Sequence, residues 1–387
     1  MNRKELKQNA LICIANEQLI VFFLFLLLYR GNIEEMQKHE REIRRPTYKI
    51  YFSHAFNPDF TVFPKYRIIV FPKSKYYLAI PVENKLSTCT LAVFKTTLWI
   101  LSQYRTCCSG KKLNKQFLNL DAKDLMETGV YKNMRDASHG IHDAIQLLSH
   151  MQIGTISPSE MRTLEEDASF ANSLQSHNSI FNQSIPEEMR AGMIKVSLNS
   201  DFPVNLMIKP YTILPEQIFT LPKHACHLLY YIFYLARQKD NVISEGQSFK
   251  LELRTISTRL ALPLTSDTKN PTRDIKQVIL TAIEHLNDIF KGDGIELQID
   301  GVPAANTERF LHKNHLLVHL SGKYQNYFTK LSALKANRAT ASFAKKKAKV
   351  ADQQATPEES ANKPETNPAT PAAEDAMVLT QETEKAP

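Results

Sequence analysis

His312, His315 and His319 fall within the segment HKNHLLVH, with Tyr324 and Tyr327 a short way downstream. Histidines near tyrosines are the materials of a metal-dependent nuclease, but such a site needs a complete ligand set. Alternation along a strand puts His315 and His319 on one face, and the sequence offers no carboxylate partner beside them. The His-hydrophobe-His motif of rolling-circle nickases is missing as well. His139 and His142 form a second pair at helical spacing, again without further ligands, and solvated imidazoles are the reading for both groups. No Walker P-loop, GxSxG elbow or kinase motif set occurs, and only 11 glycines are present to cradle phosphates. No catalysis, no metal and no cofactor are expected.

The cations suit binding better than catalysis. The chain carries a formal charge of +8 and a pI near 9.0, while residues 339–387 hold six Lys against eight Asp/Glu, which leaves +10 on residues 1–338. A basic folded part attracts polyanions, of which nucleic acid is the commonest and an anionic membrane surface another. The cysteines are five, Cys13, Cys89, Cys107, Cys108 and Cys226, with no CxxC pair. That pattern suits buried thiols in a reducing, cytoplasmic compartment rather than a disulfide framework or a zinc site.

At 387 residues the chain exceeds one ordinary domain. Short β-rich runs (YKIYF, TVF, YRIIVF, YYLAIPV) crowd residues 48–82 and predict a small β-rich region over 36–85. Helical period begins at Leu91, with Leu91, Phe94, Leu98, Leu101 and Tyr104 on one face. A strand, FLNL, follows; then come a short helix capped by Asp121, a turn at Gly129, and a helix over 133–150 with Met134, Ala137, Ile141, Ile145 and Leu148 inside. Residues 154–191 are polar and read as an elongated wing or inserted loop, with MIKVSL at 193–198 as the returning strand.

The same order recurs downstream. A helix with Thr220 as its cap and Pro222 in its first turn precedes the strand FKLEL, a short helix ending before Pro263, and a helix over 272–290. Two strands, GIELQID and LLVHL, joined by a loop holding Arg309 and Lys313, complete a wing. Helix, strand, helix, turn, helix and wing, twice over, predicts an α+β chain with two tandem winged-helix domains, over 86–200 and 201–333. Residues 334–387, with almost no large apolar side chains, read as a disordered tail.

The apolar run LIVFFLFLLLY at 19–29 is eleven residues long, too short to span a bilayer and without a signal-peptide cleavage site after it. Two readings stay open for residues 1–35: a weak membrane anchor, or translated upstream sequence before a true start at Met36.

The stretches MIKVSLNSDF, LPKHACHLLYYIFYLARQ, FKLELRTISTRLAL and NPTRDIKQVILTAIEHLNDI resemble, in pattern and spacing, the RepA and RepE type of plasmid replication initiator. More loosely they resemble a replication-associated protein of chlamydial virulence plasmids. The resemblance implies binding to origin repeats in double-stranded DNA, contact with host replication proteins, and a homodimeric form that represses the initiator's own gene. The expected readers of base edges are Arg273, Lys276 and Gln277 in the second domain and Arg135 and His139 in the first, with Lys132, Arg309 and Lys313 on phosphates. A winged-helix transcriptional repressor is the alternative within this class, and a membrane-associated or host-directed interaction protein the alternative outside it.

Overall fold

The computed structural model describes residues 11–15, 22–23, 26–27, 48–56, 62–71, 76–82, 89–107, 117–174, 178–179, 181, 187–190, 192–197, 211–260 and 271–354. Its architecture is α+β. Residues Met1–Ser332 make one unit and Ala333–Pro387 a second, so the stretches expected as separate domains on either side of residue 200 share one unit.

Helix α1 (Leu91–Cys107) lies at the centre of the first half. The sequence shows one apolar face, yet every residue from Val93 to Ser102 is buried. A helix closed in on all sides must satisfy its polar groups locally: the Thr96 and Thr97 hydroxyls donate to the carbonyls of Ala92 and Val93, each at 2.9 Å. Strand β5 (Phe117–Asp121), α2 (Ala122–Glu127) and α3 (Met134–Ser149) follow. Asp121 caps α2 by accepting from the Lys123 amide at 2.9 Å, and Gly129 turns the chain at φ 84°. Strands β8 (Glu187–Arg190) and β9 (Met193–Ser197) return as a hairpin, giving a sheet of order β5-β9-β8.

The second half repeats this plan: α5 (Lys223–Ala236), β11 (Phe249–Glu252), α7 (Leu253–Arg259), α8 (Pro271–Phe290), then β12 (Ile295–Ile299) and β13 (His315–Leu320). A short helix, α6 (Asp240–Ser244), precedes β11. The sheet order is β11-β13-β12, so in both halves the first strand pairs with the third and the third with the second. Thr220 is not the cap of α5. Its hydroxyl donates to the Gln217 carbonyl at 2.8 Å, closing a short 3-10 turn, and Pro222 occupies the cap position with no side-chain bond.

Parts of the stretch 1–35 pack into the unit. Strand β1 (Leu11–Ala15) pairs antiparallel with β10 (Tyr211–Pro215), from Leu11 opposite Pro215 to Ala15 opposite Tyr211. The same strand packs on α1, while β10 packs on α5. Phe22, Phe23, Leu26 and Leu27 sit one helical turn apart and are buried in the main core with Phe94 and Leu98. The halves also meet directly, where the Phe94 ring stacks on His227 with centroids 6.3 Å apart. Burial pulls the nearby Lys95 amine below its ordinary pKa and pushes the Cys226 thiol up to about 12.

The β-rich region and the polar insertion belong together. Strands β2 (Lys49–Phe56), β3 (Val62–Val70) and β4 (Tyr76–Pro81) form a meander that β6 (Gln152–Thr155) and β7 (Asn178–Ser179) extend, in the order β2-β3-β4-β6-β7. One face packs on the main core through Ile69, Leu78 and Ile153; the other carries Ile68, Val70 and Tyr77 against Leu164 and Ala171. TVF and YRIIVF fuse into β3 because Pro64, which lacks a ladder N–H, falls where the register shifts between Ser53 and His54. Residues 154–191 are therefore no simple wing. They include α4 (Pro158–Glu166), whose Ser157 and Glu160 form a reciprocal cap.

Helix α9 (Thr307–Lys313) is inserted between β12 and β13, and α10 runs from Gly322 to Gln354. The disordered tail expected from residue 334 thus begins as helix. Its Ala- and Lys-rich sequence, ALKANRATASFAKKKAKVA, has strong helix propensity without needing a buried face. Among the described residues no helix is long and apolar enough to cross a membrane.

Candidate nucleic-acid interface

Helix α3 opens on Asn133, whose side chain accepts from the Asp136 amide at 2.9 Å and donates to the Asp136 carboxylate at 2.8 Å. This cap fixes the first turn, and Arg135 on it, His139 on the second turn and Lys132 just before the cap are all exposed. Asp136, in the first turn itself, and Asp143 are exposed on the same helix, so the exposed face of α3 carries charges of both signs. Met134, expected inside, is 39% exposed and lies near Gly192.

Gly140 has a structural task. A Cβ there would overlap the Tyr131 phenol, which stands just before α3 and lies 3.2 Å from the Thr96 hydroxyl of α1, so that the ring bridges the two helices. The glycine makes room for a tyrosine of its own chain rather than for a nucleic-acid backbone. Gly140→Ala is expected to lower stability by about 1 to 3 kcal/mol through overpacking, measured by denaturant unfolding. A variant of unchanged stability that lost DNA binding would instead place the backbone against the ligand.

In the second half the structure redistributes the expected roles. Gln277 is exposed on α8, its amide nitrogen 3.2 Å from the Thr281 hydroxyl. Arg273 lies on the first turn of α8, and its side chain is outside the described residues. Lys276, expected as a base reader, is half-buried: its ammonium donates to the Ala304 carbonyl at 2.7 Å and stands 5.4 Å from the Phe310 ring centroid. It fastens the loop after β12 to α8. Asn314 completes that fastening from beneath, accepting from the Ala304 amide at 3.1 Å and donating to the carbonyls of Asp300 at 2.9 Å and Val302 at 3.2 Å.

Arg309 and Lys313 lie on α9 rather than on a wing loop. Asn306 caps that helix by accepting from the Arg309 amide at 3.2 Å. The helix packs against both α7 and α8, and Arg309, His312 and Lys313 are exposed on one side of it. This places those cations beside the helix expected to read bases. Sequence reasoning passed over Arg254, exposed on the first turn of α7. A cation there opposes the helix dipole at a cost of about 0.3 to 1 kcal/mol, a signal available from the sequence once the helix start is known.

The histidines have carboxylate neighbours after all. Strand pairing sets His315 opposite Glu252 and His319 opposite Glu296, residues distant in sequence. Asp300, held below its usual pKa chiefly by a 2.8 Å bond from Lys250, also feels His315. The His319 ring nitrogen Nδ1 lies 3.3 Å from the Ser248 hydroxyl. Among the described residues no group of three His, Cys, Asp or Glu lies close enough to hold a metal ion.

No protein-family model matches the chain, and neither does any curated protein. Among solved structures, RctB domains 2-3 are similar to it at a TM-score of 0.35 and 12% identity, covering 74% of this chain and 95% of that one. A selenomethionine derivative of domains 2 and 3 of RctB gives a TM-score of 0.35 and 11% identity, with 71% and 91% covered. At this level of similarity neither fold nor function passes from one chain to the other.

Proposed function

We propose that the chain is a non-enzymatic, sequence-specific binder of double-stranded DNA, built on two winged-helix halves, that serves as the replication initiator of a plasmid or similar element. The observation that carries the reading is the twice-repeated topology: helix, strand, two helices and a hairpin, with the first strand paired to the third in each copy. In a winged helix the third helix enters the major groove by its first turns while the second crosses the backbone. In that pose Arg135 and His139 on α3, and Arg273 and Gln277 on α8, face base edges. Lys132, Arg309 and Lys313 hold phosphates, joined by Arg254. Lys276 contributes by fixing the loop that carries α9 against α8.

The test is to sequence DNA that co-purifies with the full chain and to footprint the region beside its gene. Protection of short direct repeats supports initiation. Protection of a lone promoter operator would make the protein a repressor, and random fragments would remove sequence specificity altogether. Chelation is expected to leave both the footprint and duplex integrity unchanged. Metal-dependent nicking by purified protein would assign His312, His315 and His319 a catalytic role instead.

A further inference from the structure

Between Gly322 and Ala351 the chain contains eight Lys or Arg and no Asp or Glu, all within the single helix α10. Lys323 is occupied, donating to both oxygens of Asp293 at 2.8 Å. The remaining cations are Lys330, Lys335, Arg338, Lys345, Lys346, Lys347 and Lys349. At 3.6 residues per turn Lys335, Arg338, Lys345, Lys346 and Lys349 fall within an arc of about 100°. The opposite side of the helix holds Ala336, Thr340 and Phe343, together with Lys347, and Lys330 also lies outside the arc. Five of the seven cations are thus arranged as a stripe, a bias that a merely solubilising composition does not require.

Like charges one turn apart, such as Lys345 and Lys349, weaken a helix, and no acidic residue before Asp352 relieves them. A polyanion laid along the stripe would. From Lys335 to Lys349 the rise is about 21 Å, a length over which duplex DNA presents about a dozen phosphates. We infer that the basic stripe of α10 is a sequence-independent arm that follows the DNA phosphate backbone and adds affinity without base preference. This rests on the DNA-binding reading above and adds a site to it.

The experiment compares the full chain with a variant in which Lys335, Arg338, Lys345, Lys346 and Lys349 are changed to Gln, on a scrambled duplex across a salt series. Each phosphate contact given up removes about 0.9 from the slope of log K against log salt. The expected change is a slope shallower by about 3 to 5, with a low-salt affinity at least about tenfold weaker. Ser342→Pro keeps every charge and breaks the helix between the two clusters, and it too is expected to flatten the slope.

An unchanged slope in the Gln variant overturns the proposal. A Ser342→Pro variant that behaves as wild type overturns the helical stripe in favour of a flexible basic tail. Loss of binding to anionic vesicles with DNA binding intact overturns it in favour of a membrane surface. The ratio of specific to scrambled affinity separates this site from the reading helices. A flatter slope with that ratio preserved supports the arm, and a flatter slope in a protein that shows no specific site supports the arm while the initiator reading fails.

Discussion

A chain beginning at Met36 is expected to lose cooperative folding, and its DNA binding with it. Removing residues 1–35 takes away Phe22, Phe23, Leu26 and Leu27, all buried in the main core. At about 1.5 to 3 kcal/mol for each fully buried large apolar side chain, the loss is ~6 to 12 kcal/mol, as large as the whole stability of a typical domain. It also removes β1, the strand that rests on α1 of the first half and pairs with β10 before the second. The truncated protein should be insoluble or unfold without a cooperative transition, read by denaturant titration and near-UV circular dichroism. Phe22→Ala in the full chain should cost about 3 to 5 kcal/mol. A truncated protein as stable as the full chain would restore the idea that residues 1–35 are dispensable.

Three neighbouring side chains on α8 are expected to fail in different ways. Arg273→Ala and Gln277→Ala each remove a candidate base contact worth about 1 to 3 kcal/mol of discrimination. Specific affinity should fall about tenfold to a hundredfold, with little change on scrambled duplex. Lys276→Met should leave base preference intact, because its ammonium is engaged with Ala304 and Phe310. Its loss should loosen the α9 loop and lower affinity for all sequences together. Competition binding on specific and scrambled duplexes distinguishes the two patterns, and a change of preferred base on Lys276→Met would return that residue to the readers.

The sequence was most legible where order is local. Amphipathic period located α3, α5 and α8 to within a residue or two, and alternation located β5, β9 and β11. What escaped was set by partners far along the chain. Nothing in LICIA names YTILP, some 200 residues away, as its strand partner. Nothing in the polar insertion shows that Gln152 and Ile153 extend the meander through Ala79 and Leu78. Phe22, Phe23, Leu26 and Leu27 of the apolar run at 19–29 are buried in the core, and the sequence alone does not separate that from an anchor, because a helix facing a core and one facing lipid use the same residues.

The candidate site was legible in part for the same reason. Arg135, His139 and Gln277 are exposed as their helical positions require, and Lys132 is exposed just before the cap of α3. Lys276 occupies an equally plausible helical position, but its partner is a carbonyl in a loop that the sequence gives no means of placing. Arg309 and Lys313 were misplaced because TERFLHK is too short for a clear period, and only the Asn306 cap marks it as helix. The Glu252 and Glu296 neighbours of the histidines follow from strand register, which one strand alone does not fix.

Helices α3 and α8 are the proposed readers of duplex sequence. Selecting ligands for the purified full chain from a random duplex pool tests that role most directly. The expected result is a discrete motif bound about a thousandfold or more above scrambled DNA, with preference relaxed at one position by Gln277→Ala and at another by Arg135→Ala. A pool that stays random through successive rounds, with all binding erased alike by salt, would contradict it.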